Sequence, residues 1–131
     1  MLEKIFDHMK TRGSGKKNQY GSMTSIFGLD WAAPYASSKG GVVQFSKTLA
    51  VSWAKDNIQV NTILPGWIHT ELTQGVKDNY RARYDHIRSR IPDGRWGEPS
   101  DLAGTSVFLA SSASDYVTGV SIPVDGGYTS F

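Results

Sequence analysis

Residues 58–66, IQVNTILPG, constrain the fold more than any other stretch of the chain. Ile58, Val60, Thr62 and Ile63 are β-branched, and Pro65-Gly66 closes the run, so the stretch reads as a strand. Just before it, from about Ala36 to Ala54, apolar residues recur at helical spacing. Val42, Phe45, Leu49 and Trp53 fall on one face. Only the short turn KDN separates the two elements. A helix, a tight turn and an apolar strand make half of a βαβ unit, which requires a parallel sheet with helices packed on it.

The flanking segments extend this α/β pattern. Leu2, Ile5, Phe6 and Met9 predict a helix over residues 1–10, stopped by Gly13 and Gly15. NQYGSMTSIFG reads as a strand edge followed by a loop. HTELTQGVKDNYRARYDHIRSRIPDG is polar and mixed, and predicts one or two short amphipathic helices. EPSDLAGTSVFLASS predicts a helix capped by Ser100, with Asp101 at its positive end and Leu102, Val107 and Phe108 on its apolar side. VTGVSIPVDGG reads as a last short strand. No repeat, low-complexity tract or linker divides the chain, and 131 residues fit a single small domain.

Composition excludes several classes of function. The absence of cysteine rules out disulfides, thiolate metal sites and a cysteine nucleophile. His8, His69 and His86 are too dispersed to read as a zinc site. A net charge of +2 does not point to nucleic acid. No apolar run reaches membrane-spanning length, and the charged N-terminus MLEKIFDHMK lacks the apolar core of a signal peptide. The expectation is a cytoplasmic protein that binds neither nucleic acid nor membrane.

The candidate chemistry lies in YASSKGG, residues 35–41. On a helix, Lys39 stands one turn beyond Tyr35 on the same face. A free tyrosine has a pKa near 10, roughly three units too high for acid–base work at neutral pH. A neighbouring ammonium stabilises the phenolate and closes part of that gap. With six tyrosines in the chain, the spacing alone proves little. Its surroundings add weight. Ser22 lies thirteen residues earlier in a predicted loop, placed to hydrogen-bond the same substrate oxygen. The next strand ends at Pro65-Gly66, and open α/β sheets bind ligands at the carboxyl ends of their strands.

Four stretches together, GSMTSIFG, YASSKGG, NTILPGWIHTEL and GRWGEPSDLAGTSVFLASSASDYVTGVSIPVDGG, resemble the second half of a short-chain dehydrogenase/reductase. The likeness runs from about His8 to the C-terminus. It implies the C-terminal part of a Rossmann-like, doubly wound parallel sheet in a three-layer α/β/α sandwich, with residues 1–131 as one partial domain. It implies an oxidoreductase that uses NAD or NADP to interconvert an alcohol and a ketone. Within the family, the tail motifs look most like sugar and sugar-acid dehydrogenases.

Carried over by resemblance, Ser22 orients the substrate, Tyr35 is the general acid/base, and Lys39 tunes it and holds the nicotinamide ribose. Pro65, Gly66, Ile68 and Thr70 cradle the nicotinamide, so Tyr35, Lys39 and these four form the expected cofactor contact. The segment after Thr70 matches a substrate lid, and the Ala36–Ala54 helix implies a homo-oligomer. The family's Gly-rich phosphate loop and its catalytic asparagine would lie upstream of Met1. RGSGKK does not replace that loop, because no strand precedes it.

A second departure is KKNQY, residues 16–20, where the family has an apolar central strand. Lys17, Asn18 and Gln19 are expected to be poorly tolerated there. The alternative to an enzyme is a truncated non-catalytic fragment that associates with full-length relatives or has no function. Arg81, Arg83, Arg88 and Arg90 read first as a solvated helix face, and second as guanidinium donors to an acidic substrate. Trp31 and Trp67 flank the site, His69 reads as an exposed loop histidine, and Trp96 as a packing anchor.

Overall fold

The computed structural model describes residues 2–130. Their order is α1 (Leu2–Arg12), β1 (Gly15–Tyr20), α2 (Ala33–Trp53), β2 (Ile58–Pro65), α3 (Glu71–Asn79), α4 (Arg81–Ser89), α5 (Ala103–Ala110) and β3 (Ser121–Val124), with short 3-10 turns between them. The strands form one parallel sheet in the order β1-β2-β3. Gly15 pairs with Ile58 and Tyr20 with Ile63, while Thr62 pairs with Ser121 and Pro65 with Val124. Parallel neighbours need crossovers. α2 makes the first, and the segment holding α3 to α5 makes the second.

β2 is central and buried along its length, with Ile58, Val60 and Ile63 at 0 % exposure. Burying such a side chain contributes about 1.5–3 kcal/mol. Successive side chains point to opposite faces. Ile58 and Val60 join Leu49, Ala50 and Trp53 of α2, and Leu2, Phe6 and Met9 of α1 pack against this cluster. On the other face Asn61 acts as a clasp. Its Nδ2 donates to the Val117 carbonyl at 2.8 Å, and its Oδ1 accepts from Val120 N at 3.2 Å. That clasp brings the chain into register for β3. A second cluster, Met23, Tyr84, Ile87, Ile91, Trp96 and Tyr128, ties α4 to the C-terminal turn.

Four details differ from the sequence reading. The buried face of α2 is Val43, Ser46, Leu49, Ala50 and Trp53, whereas Phe45 is 44 % exposed. Ser46 is admitted to the core because its hydroxyl is saturated. It donates to the Val42 carbonyl and accepts from Gln19 Nε2, both at 2.7 Å. Apolar periodicity does not register a satisfied serine.

The polar stretch KKNQY is a strand after all. Gln19 has Ser46, Lys16 Nζ donates to Asp115 Oδ1 at 2.7 Å, and Tyr20 hydroxyl meets Ser106 Oγ at 2.9 Å. Among the described residues β1 pairs with β2 alone and is half-buried, and these polar side chains find partners.

Ser100 does not cap a helix. Pro99–Leu102 form a 3-10 turn, and the Asp101 carboxylate accepts from Glu98 N at 2.7 Å. The tighter turn shifts the phase of α5. Leu109 is therefore the residue at 0 % exposure, and Val107 is at 67 %.

His69, fourth, is partly enclosed. Its ring stacks on Trp96 at 5.5 Å, and Trp96 is 2 % exposed and anchors Tyr84 and Trp67 as well. Among the described residues no helix is long and apolar enough to cross a membrane, and no group of three His, Asp or Glu could hold a metal ion.

Candidate active site

The carboxyl ends of β1 and β2 open into a cleft of about 260 Å³. Ser22, Thr24, Trp31, Tyr35, Gly66 and Trp67 are among its lining residues. Ser22 arrives two residues after β1 ends and caps the one-turn 3-10 segment Met23–Ser25. Its Oγ accepts from Thr24 N at 3.2 Å. A hydroxyl that already accepts keeps its proton free to donate, and that proton has the cleft before it.

Tyr35 sits in the first turn of α2, just after Pro34, whose fixed φ suits a helix start. Its side chain is 44 % exposed. One turn on, Lys39 Nζ lies 5.7 Å from the centroid of the Tyr35 ring. The same ammonium donates to the carbonyl of Tyr20 at 3.2 Å. Lys39 is thereby anchored to the last residue of β1, and the cation is held beside the ring by the sheet itself.

The 65–70 segment is shaped by close backbone contacts. Gly66 N donates to the Val124 carbonyl at 3.0 Å. A side chain at Gly66 would come within 2.7 Å of Asp125 Cα, so only glycine permits this approach. Beyond it, Ile68 bridges to Gly97, with His69 N donating to the Gly97 carbonyl and Gly97 N to the Trp67 carbonyl, both at 2.8 Å. Thr70 caps α3, its amide donating to Thr73 Oγ1 at 3.0 Å.

The sequence-derived residues are therefore gathered unequally. Ser22, Tyr35 and Gly66 line the cleft together. Lys39 stands behind Tyr35. Ile68 is buried, and its side chain lines a separate hollow of about 250 Å³ with Asp93, Arg95 and Asp101. Pro65 and Thr70 flank the cleft without lining it.

Seven wall residues escaped the sequence reading: the apolar Met23, Leu29, Ala32, Leu72 and Val76, and the hydroxyls Thr24 and Thr73. Leu72 and Val76 are four apart on α3 and would have been found as its apolar stripe. Met23 opens the one-turn 3-10 segment and Leu29 lies in the loop after it, stretches too short for periodicity to carry a signal.

Two buried polar atoms of cleft residues, Thr24 Oγ1 and Trp67 Nε1, have no partner within the protein. With Ser22, Tyr35 and Lys39, the donor set is hydroxyls, an indole and an ammonium, and no carboxylate lines the cleft. That chemistry suits an oxygen-rich neutral or anionic group and the ribose and amide of a nicotinamide.

Known proteins resemble this chain over most of its length. A family model described as enoyl-(acyl carrier protein) reductase matches residues 1–129. The 2-dehydro-3-deoxy-D-gluconate 5-dehydrogenase of Escherichia coli (strain K12) is 48% identical over 129 residues, covering 98% of this chain and 51% of that protein. The Bacillus subtilis (strain 168) protein of the same name is 46% identical over 123 residues, covering 94% of this chain and 48% of that protein. A crystal structure of a gluconate 5-dehydrogenase from Burkholderia cenocepacia J2315, in complex with NADP and tartrate, superposes with a TM-score of 0.92 at 42% identity. It covers 95% of this chain and 49% of that one. The chain spans about half the length of the curated relatives it matches.

Proposed function

The chain belongs to the short-chain dehydrogenase/reductase family, and from that premise we propose that it is the catalytic C-terminal half of an NAD(P)-dependent oxidoreductase acting on a sugar acid. Residues 1–131 are then one partial domain of a Rossmann-like sheet. The observation that carries the reading is the cleft shared by Ser22 and Tyr35, with the Lys39 ammonium 5.7 Å from the tyrosine ring.

A bound nicotinamide supplies or accepts the hydride. The residues that would hold it are Tyr35, Lys39, Pro65, Gly66, Ile68 and Thr70, at the strand ends where α/β folds take such ligands. The chain's own work is on the proton. In the reducing direction the Tyr35 hydroxyl gives its proton to the substrate carbonyl oxygen as negative charge develops there. Ser22, its Oγ already accepting from Thr24 N, donates a second hydrogen bond to that oxygen. Lys39 places positive charge beside the ring while the phenolate exists. In the oxidising direction Tyr35 takes the proton back, and Ser22 holds the alcohol oxygen in line.

Oligomer formation through the Ala36–Ala54 helix belongs to the same proposal. Its support is the outer side of α2, where Phe45 is 44 % and Val51 83 % exposed. The test of the catalytic reading is Tyr35→Phe. Reduction of 5-keto-D-gluconate, followed with NADPH and with NADH, is expected to fall by about 10²–10⁴-fold, the usual contribution of a positioned general acid. A variant that keeps the full rate removes Tyr35 from the mechanism.

A further inference from the structure

We infer that Arg83 of α4 is the carboxylate-binding residue of this cleft and selects an acidic substrate, an inference that rests on the catalytic reading above. The guanidinium of Arg83 lies 4.4 Å from the Trp31 ring centroid. Trp31 lines the cleft together with Ser22 and Tyr35. Tyr80, at 5.9 Å from the same guanidinium, adds a second aromatic ring. Stacking engages the flat face of a guanidinium and leaves its N–H edge free, which is the edge a carboxylate takes with two parallel hydrogen bonds.

Three other arginines are engaged away from the cleft lining. Arg81 pairs with Asp85 at 3.1 Å, Arg90 lies over Tyr128, and Arg95 is held by Asp93 and Asp101. Among the described residues Arg83 makes no ion pair, even though Asp30 is the neighbour of Trp31 in sequence. The cleft lining carries no charged side chain, and Arg83 stands outside it, against the Trp31 ring. An acid whose carbonyl reaches Tyr35 has the Lys39 ammonium behind that ring, tied to the Tyr20 carbonyl, and Arg83 against the Trp31 wall for its carboxylate. Trp31 holds the guanidinium; Arg83 supplies the charge.

Two measurements decide this, and the first does not depend on turnover. D-gluconate and D-glucitol differ only in a carboxylate against a hydroxymethyl group. Calorimetric titration of the protein is expected to show gluconate bound at least tenfold more tightly. Arg83→Gln is expected to remove about 10- to 100-fold of the gluconate affinity, the range for a charge-assisted hydrogen bond near the surface, and Arg83→Lys to restore part of it. A wild-type protein that does not distinguish the two ligands overturns the inference, as does an Arg83→Gln variant that binds gluconate unchanged.

The second measurement is the ratio of kcat/KM for 5-keto-D-gluconate to that for the neutral ketose L-tagatose. It is expected to fall in Arg83→Gln by the same factor, chiefly through KM. Equal losses on both substrates overturn the inference. Should Tyr35→Phe keep its rate, the catalytic reading fails alone, and the gluconate titration still decides Arg83.

Discussion

β1 and β2 are neighbours in one sheet, run in the same direction and share six paired positions, yet they are built on opposite chemistry. β2 is IQVNTILP and buried on both faces; β1 is GKKNQY and half-buried. In β2 the Asn61 amide is completed inside the fold by Val117 and Val120, while the buried Thr62 hydroxyl has no partner. The polar residues of β1 reach outward, Lys16 to Ser114 and Asp115 and Tyr20 to Ser106. The rule that parallel strands read as apolar runs is a rule about burial on two faces. A strand that is half-buried obeys a weaker one: most of its polar side chains find a partner, although Asn18 Oδ1 of β1 has none.

The strongest way to break this comparison is to give β2 the chemistry of β1. Val60 has 0 % exposure and faces the α2 core, so Val60→Asp buries a carboxylate with no partner. A loss of at least about 4 kcal/mol is expected, enough to abolish a cooperative melt followed by circular dichroism. A folded Val60→Asp protein would mean that β2 does not carry the core.

The reverse exchange sharpens the contrast. Gln19→Val removes one hydrogen bond to Ser46, but Ser46 still donates to the Val42 carbonyl. Urea unfolding is expected to move by no more than about 1 kcal/mol. A change of several kcal/mol would show that the polar chemistry of β1 is specific and not merely tolerated.

The smallest effect lies beyond the end of β2, where the Ile68–Gly97 bridge is followed by a surface clip. Arg95 Nη1 meets Asp101 Oδ2 at 2.7 Å. The hydrogen bond from Arg95, and then the Glu98 amide, hold the Asp101 carboxyl down from 3.8 to about 2. A depressed carboxyl contributes stability above its ordinary value, and that contribution is lost as pH falls through the folded value. The thermal midpoint of the wild type is therefore expected to drop more between about pH 4 and pH 2 than that of Asp101→Asn, which starts lower and runs flatter. Parallel curves would mean that the clip contributes nothing measurable, as many exposed pairs do.

Much of this molecule was legible in the sequence. The α2–β2 unit was, because a long amphipathic helix and a β-branched run are strong local signals. The Tyr35–Lys39 pair was, because helical spacing alone puts the two side chains together. Ser22 was placed by its distance before Tyr35 and by family resemblance. The face of α2 was misread at Phe45 and Ser46, since hydropathy counts a serine as outside even when both its hydrogen bonds are met within the core. The cap before α5 was misplaced at Ser100, since a 3-10 turn and an α-helix start on the same residue types.

What the sequence by itself determined is what one element settles alone: which stretches are strand or helix, and which side chains share a turn. What only the tertiary structure decided is what depends on two elements meeting. Lys39 reaches the Tyr20 carbonyl because β1 ends beside α2. Gly66 is required because Asp125 arrives against it from β3. Arg83 finds Trp31 across more than fifty residues of chain. Contacts of that kind are absent from any local window, because their energy exists only once the sheet has brought distant segments together.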